Sequence, residues 1–90
     1  MLTLVQTSQF RRDLKRARKS GRDLTLLGTI VDKLQREEPL PPANRDYALV
    51  GNYVGSRECH IQSDWLLIYR VEHGDLILVL QRTGTHSDLM

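Results

Sequence analysis

Residues 57–82 read RECHIQ-SD-WLLIYRVE-HG-DLILVLQR, and this stretch decides the fold. It holds three runs rich in β-forming residues: Arg57–Gln62, Trp65–Val71 and Leu76–Arg82. Ser63-Asp64 and His73-Gly74 between them are turn signals, each read as a two-residue hairpin loop. The last two runs are apolar on both faces, so they belong in the centre of a sheet covered on both sides. With two-residue loops, His60 lies opposite Leu67, and Trp65 lies opposite Arg82. Opposed residues share a face, as do residues two apart. His60, Trp65 and Arg82 are therefore expected on one face, with Asp64 in the adjoining turn. Cys59 and Ile61 should point the other way. A one-residue slip in either loop would break this convergence.

Working outward, Leu2–Val5 is a short strand, and Thr7 or Ser8 offers a helix N-cap. Phe10, Leu14 and Ala17 then follow at one helical face. Arg11, Lys15, Arg18 and Arg22 form a parallel basic stripe, and Gly21 is a plausible stop. Asp23 can cap a second helix with Leu24, Leu27, Ile30, Val31 and Leu34 inward. Lys33 and Arg36 near its end suit the helix dipole. All three prolines fall between Glu37 and Arg45, which reads as an extended linker. The layout is α+β: a strand, a helical hairpin, then a three-stranded antiparallel meander, with the helices packed on one sheet face.

The 90 residues 1–90 read as one small domain. The longest apolar runs, Trp65–Tyr69 and Leu76–Leu80, are five residues. A membrane span needs about 20, so none is expected. Met1–Gln6 has neither the basic start nor the apolar length of a signal peptide. One Cys excludes an internal disulfide and fits the cytoplasm. Residues 1–36 hold nine Lys/Arg and three Asp/Glu, whereas residues 37–90 hold four and eight. Such asymmetry fits a nucleic acid or an acidic partner, and equally a solvated helix face.

His60, Asp64, Arg82 and His86 are the residues able to do chemistry. Each has a plainer reading: a hydrogen-bonded edge histidine, a turn former, a cation stacked on Trp65, and a frayed terminal histidine. Gly84 lets the chain bend back and bring His86 over the same face. Together, two imidazoles, a carboxylate and a guanidinium suit RNA cleavage through the ribose 2′-hydroxyl. That reaction needs a base, an acid for the leaving 5′-oxygen, and a cation for charge on the phosphate. Trp65 and Tyr69 offer flat faces on which unpaired bases could stack. No metal site is expected, because Cys59 and His60 point to opposite faces and no paired-Cys motif occurs. No Gly-rich phosphate loop opens a helix, and Cys59 should be buried and inert.

Leu49-Val50-Gly51-Asn52-Tyr53-Val54-Gly55-Ser56-Arg57-Glu58-Cys59-His60 resembles the L-x-G-x-(aromatic)-x-G-x-R-(D/E)-x-H stretch of YafQ-like toxins of the RelE/ParE superfamily. Ser63–Tyr69 resembles their x-D-W-(L/I)-L-I-Y, and Arg82–Leu89 their R-T-G-(T/S)-H-x-(D/A)-L ending. The resemblance implies a RelE-like fold and a type II toxin: a ribosome-dependent, metal-independent mRNA endoribonuclease that inhibits translation and needs no cofactor. By position it makes His60, Asp64, Arg82 and His86 catalytic. His86 is then the general acid, Arg82 holds the phosphate, and His60 or Asp64 is the base or its orienter. Tyr47, Trp65 and Met90 would bind substrate; Tyr47 stands where the family often has His, and Met90 where it often has an aromatic residue. The implied partners are the ribosome, mRNA and a small dimeric DNA-binding antitoxin with a disordered tail, through which alone the toxin would meet operator DNA. A gyrase-binding toxin of the same superfamily, or an inactive antitoxin-binding module, are the rival readings.

Overall fold

Strand β4 (Trp65–Glu72) is the middle of the molecule, its first five residues all buried. A computed structural model describes residues 1–89; the Met90 expectation lies outside the described residues. Strand β3 (Arg57–Gln62) and strand β5 (Ile77–Gly84) flank β4 antiparallel. Strand β1 (Thr3–Gln6) runs parallel to β5, and the two-residue strand β2 (Tyr47–Ala48) pairs antiparallel with β3. The sheet order is β1-β5-β4-β3-β2, so the two apolar strands are interior, as their sequences require. The meander thus sits inside a five-stranded sheet, because β1 and β2 add one strand at each side.

Helix α1 (Ser8–Lys19) starts where the Thr7 hydroxyl accepts from the Phe10 N–H at 2.9 Å. Gly21, at φ +82°, ends it with two reversed bonds, Gly21 N–H to Arg18 and Arg22 N–H to Ala17. That reversal takes Arg22 off the basic stripe and puts its guanidinium 5.1 Å from the Trp65 ring centroid. The cation over Trp65 is therefore Arg22, not Arg82. Helix α2 (Leu24–Gln35) is capped by Asp23, which accepts from the Thr25 N–H at 3.0 Å. Leu27, Ile30, Val31 and Leu34 of α2 join Phe10 and Ala17 of α1 over Trp65, Leu67 and Tyr69 of the sheet. The linker is not extended throughout: Glu37 at φ +57° and Arg45 at φ +44° are left-handed, and a 3₁₀ turn spans Pro42–Asn44. No described helix is long and apolar enough to cross a membrane.

The register departs from expectation at both hairpins, and the departures compensate. The Ser63-Asp64 turn pairs Gln62 with Trp65 as expected, but a bulge at Ile61 then sets His60 opposite Leu66 rather than Leu67. The second loop is four residues, His73 to Leu76, with Leu76 at φ +56°. A second bulge at Gln81 sets Arg82 opposite Ile68, not Trp65. Leu66 and Ile68 are two apart and share a face, so His60 and Arg82 still lie on one face. Trp65 does not join them. It lies on the helix-facing side with Leu67 and Tyr69, fully buried, its indole N–H donating to Thr83 Oγ1 at 2.9 Å. Tyr69 is buried on that side too, and its hydroxyl donates to Asp46 at 2.6 Å. Neither ring is open to a base. Cys59 and Ile61 face the helices, as expected.

Candidate active site on the second sheet face

The face away from α1 and α2 carries a small second core of Leu66, Ile68 and Leu89, with Leu49 and Tyr53 against it. Across this face the register sets two rows. Tyr47, Glu58, Ile68 and Arg82 form one, and His60, Leu66 and Gly84 form the next. Glu58 and Arg82 are two strands apart, so their backbones are separated by about 10 Å.

Helix α3 (His86–Leu89) lies over the second row. Thr85-His86-Ser87-Asp88 builds it: the Asp88 carboxylate accepts from the Thr85 N–H at 3.0 Å, and Thr85 Oγ1 accepts from the Asp88 N–H at 3.1 Å. This reciprocal cap starts the single turn, and Leu89 anchors it in the second core. Gly84 is required beneath it, because a Cβ there would sit 2.9 Å from the Asp88 Cβ. The bend puts the His86 ring 5.7 Å from the His60 ring, nearly edge to face.

Asp64 ties His86 down at both ends. Its Oδ1 accepts from the His86 N–H at 3.0 Å and lies 2.8 Å from His86 Nδ1. These two bonds, the backbone one first, hold the Asp64 carboxyl below its usual range. A carboxylate on Nδ1 keeps that nitrogen protonated and leaves Nε2 for chemistry.

Glu58 was not among the residues singled out from the sequence. It is buried, and its carboxylate accepts from the Tyr47 hydroxyl, which raises the Tyr47 pKa. The signal for it was period two: in Glu58-Cys59-His60 the first and third residues share a face. Glu58, His60 and His86 each offer a ligand atom within 4.8 Å of the others. One carboxylate and two imidazoles suit a borderline cation such as zinc or copper, a set that the sequence reading did not assemble. Tyr47 itself is exposed at the rim of this group. Arg82 enters from the first row, its guanidinium held by the Asp13 carboxylate of α1 at 2.8 Å. That bond is the main cause of its raised pKa. The four expected catalytic residues are thus on or beside one face, Trp65 is excluded, and Tyr47 is present.

Comparison with known proteins gives the family and agrees with the fold. The family described as the bacterial toxin of type II toxin–antitoxin system, YafQ, matches residues 2–90. The mRNA interferase toxin YafQ of Escherichia coli K12 is 36% identical over 84 residues, covering 92% of this chain and 89% of that protein. The crystal structure of a metal-bound toxin from Helicobacter pylori superposes with a TM-score of 0.95 at 41% identity, covering 100% of both chains. YafQ in the E. coli DinJ–YafQ complex superposes with a TM-score of 0.89 at 33% identity, covering 100% of this chain and 99% of that one. On a match that spans almost every residue, and on a sheet face that carries the motif residues together, the chain belongs to the YafQ family of bacterial type II toxins.

Proposed function

We propose that this toxin, an mRNA interferase by its family, cuts mRNA on the ribosome without a metal ion, using His60 and His86 as base and acid. The observation that carries the reading is the His60–His86 pair, 5.7 Å apart, with Asp64 on His86. His60 removes the proton from a ribose 2′-hydroxyl. The 2′-oxygen attacks the adjacent phosphorus, and the P–O5′ bond breaks. His86 Nε2 gives its proton to the departing 5′-oxygen, leaving a 2′,3′-cyclic phosphate and a 5′-hydroxyl. Asp64 stabilises the protonated His86, and Arg82 offers its remaining N–H groups to the phosphate. Tyr47, the exposed aromatic of the rim, stacks or hydrogen-bonds a base in place of the buried Trp65.

The exposed cations of α1 suit ribosomal RNA, whose phosphates dominate such contacts. An acidic antitoxin with a disordered tail would suit the same surface and would fold as it binds. The E. coli relative's complex with DinJ supports a proteinaceous partner for this chain as well. In this reading the protein works in the cytoplasm, and operator DNA is met only through the antitoxin.

The test maps mRNA 5′ ends by primer extension in a translating extract, with wild type, His86→Ala and a translation-blocked control. New ends from wild type alone, lost when ribosomes stop, are expected. Cutting that persists with translation blocked would remove the ribosome from the reading. Growth arrest without any new ends would favour the gyrase-binding alternative.

A further inference from the structure

Helix α1 carries six basic residues and one acid, Asp13. That acid does not face the cations around it in solvent. It lies on the inward side between Phe10 and Ala17, 1% exposed. A carboxylate removed from water is destabilising unless its lone pairs are filled. Asp13 fills them with four bonds: Oδ2 accepts from Arg82 Nε at 2.8 Å and the Thr83 N–H at 3.1 Å. Oδ1 accepts from Arg82 Nη2 at 3.3 Å and Gln9 Nε2 at 3.1 Å.

We propose that Asp13 is a positioning residue for cleavage, a clamp on helix α1 that sets the guanidinium plane of Arg82 for the scissile phosphate. This rests on the phosphate role given to Arg82 above. The carboxylate takes Nε–H and one N–H of Nη2, which leaves one N–H there and both on Nη1 for another acceptor. The clamp lies next to the Gln81 bulge, the backbone irregularity that turns Arg82 onto the second face. The Thr83 N–H bond holds that backbone, and the Thr83 hydroxyl continues inward to the Leu66 carbonyl at 2.7 Å. Arg82 is thus fixed from the helix side while its free edge serves the opposite face. A flexible arginine would have to be ordered in each catalytic event, and Asp13 removes that cost before substrate arrives.

Single-turnover cleavage on a preassembled ribosome–mRNA complex tests this with Asp13→Asn, Arg82→Ala and the double variant. Asn keeps one oxygen for Arg82 Nε and the Thr83 N–H, but its NH₂ replaces the oxygen that accepts from Arg82 Nη2 and Gln9 Nε2, so the two-pronged grip and the negative charge are lost. The expected result is a rate roughly 10- to 100-fold lower for Asp13→Asn at unchanged ribosome affinity. The double variant should be no slower than Arg82→Ala alone. Losses that multiply, or a wild-type rate for Asp13→Asn, would overturn the clamp. A second measurement needs no variant: ¹⁵N NMR of the wild-type protein should show one slowly exchanging Arg82 Nε–H signal. Fast exchange there would overturn the proposal even if Asp13→Asn failed to fold. If wild type cuts nothing, the nuclease reading fails, while the Arg82 signal still reports on the clamp.

Discussion

Asp64 holds His86 by two atoms at once, the backbone N–H at 3.0 Å and the ring Nδ1 at 2.8 Å, although the residues are 22 apart in sequence. The Ser63-Asp64 turn and helix α3 are thereby joined. Both ends are exposed, so the tether's value is directional: it sets the tautomer and aim of His86.

Asp64→Ala should lower the single-turnover cleavage rate by about 10²-fold, the low end of what positioned acid–base groups supply. Asp64→Asn should fall between, since an amide oxygen can still accept both bonds but carries no negative charge. A wild-type rate for Asp64→Ala would remove the tether from catalysis.

The tether also has a definite pH window. The Asp64 carboxyl is lowered from 3.8 by its bonds to His86, so folding favours its ionised form. Its stabilising contribution is complete above the unfolded value and disappears as pH falls through the lower folded one. The Asp64 side-chain carboxyl ¹³C shift, followed by NMR, should therefore titrate with the midpoint of its main step below 3.8. Movement centred near pH 5 would contradict the assignment.

Trp65→Phe separates packing from chemistry. It removes the indole N–H that serves Thr83 and part of a fully buried ring. A stability loss of about 1–3 kcal/mol is expected in urea titration. The cleavage rate, measured well below the melting temperature, should stay within a few-fold of wild type. Tyr47→Phe should slow cleavage and also cost stability, because it leaves the buried Glu58 carboxylate without the hydroxyl it accepts from. Selective loss of catalysis in Trp65→Phe would place the indole at the substrate after all.

Cys59 is fully buried, and burial pushes its thiol up to about 12. It should resist a thiol-labelling reagent at pH 8 in the native protein and react promptly in denaturant. Fast native labelling would mean that β3 opens readily.

Chelator added to an assembled, intact ribosome complex should leave the cleavage step unchanged. Added zinc should slow it, because a cation on Glu58, His60 and His86 would occupy the imidazole lone pairs. Loss of cutting with chelator would instead make that group a metal centre.

The sequence by itself determined the elements, since their signals are local. Thr7 and Asp23 cap helices, Ser63-Asp64 closes a hairpin, and apolar runs mark the interior strands. It also picked out His60, Asp64, Arg82 and His86, residue types whose chemistry is recognisable before folding. Only the tertiary structure decided which of them meet. Bulges at Ile61 and Gln81 carry no composition signal, yet each moves every later side chain to the other face. Their combined effect keeps His60 and Arg82 on one face and leaves Trp65 in the core. Asp13 and Glu58 were hidden for a related reason. A buried acid looks like any surface acid in sequence until its partners, 69 residues away for Asp13 and 11 for Glu58, are folded against it. Desolvation and pairing are properties of the packed interior, so the chain's order alone does not express them.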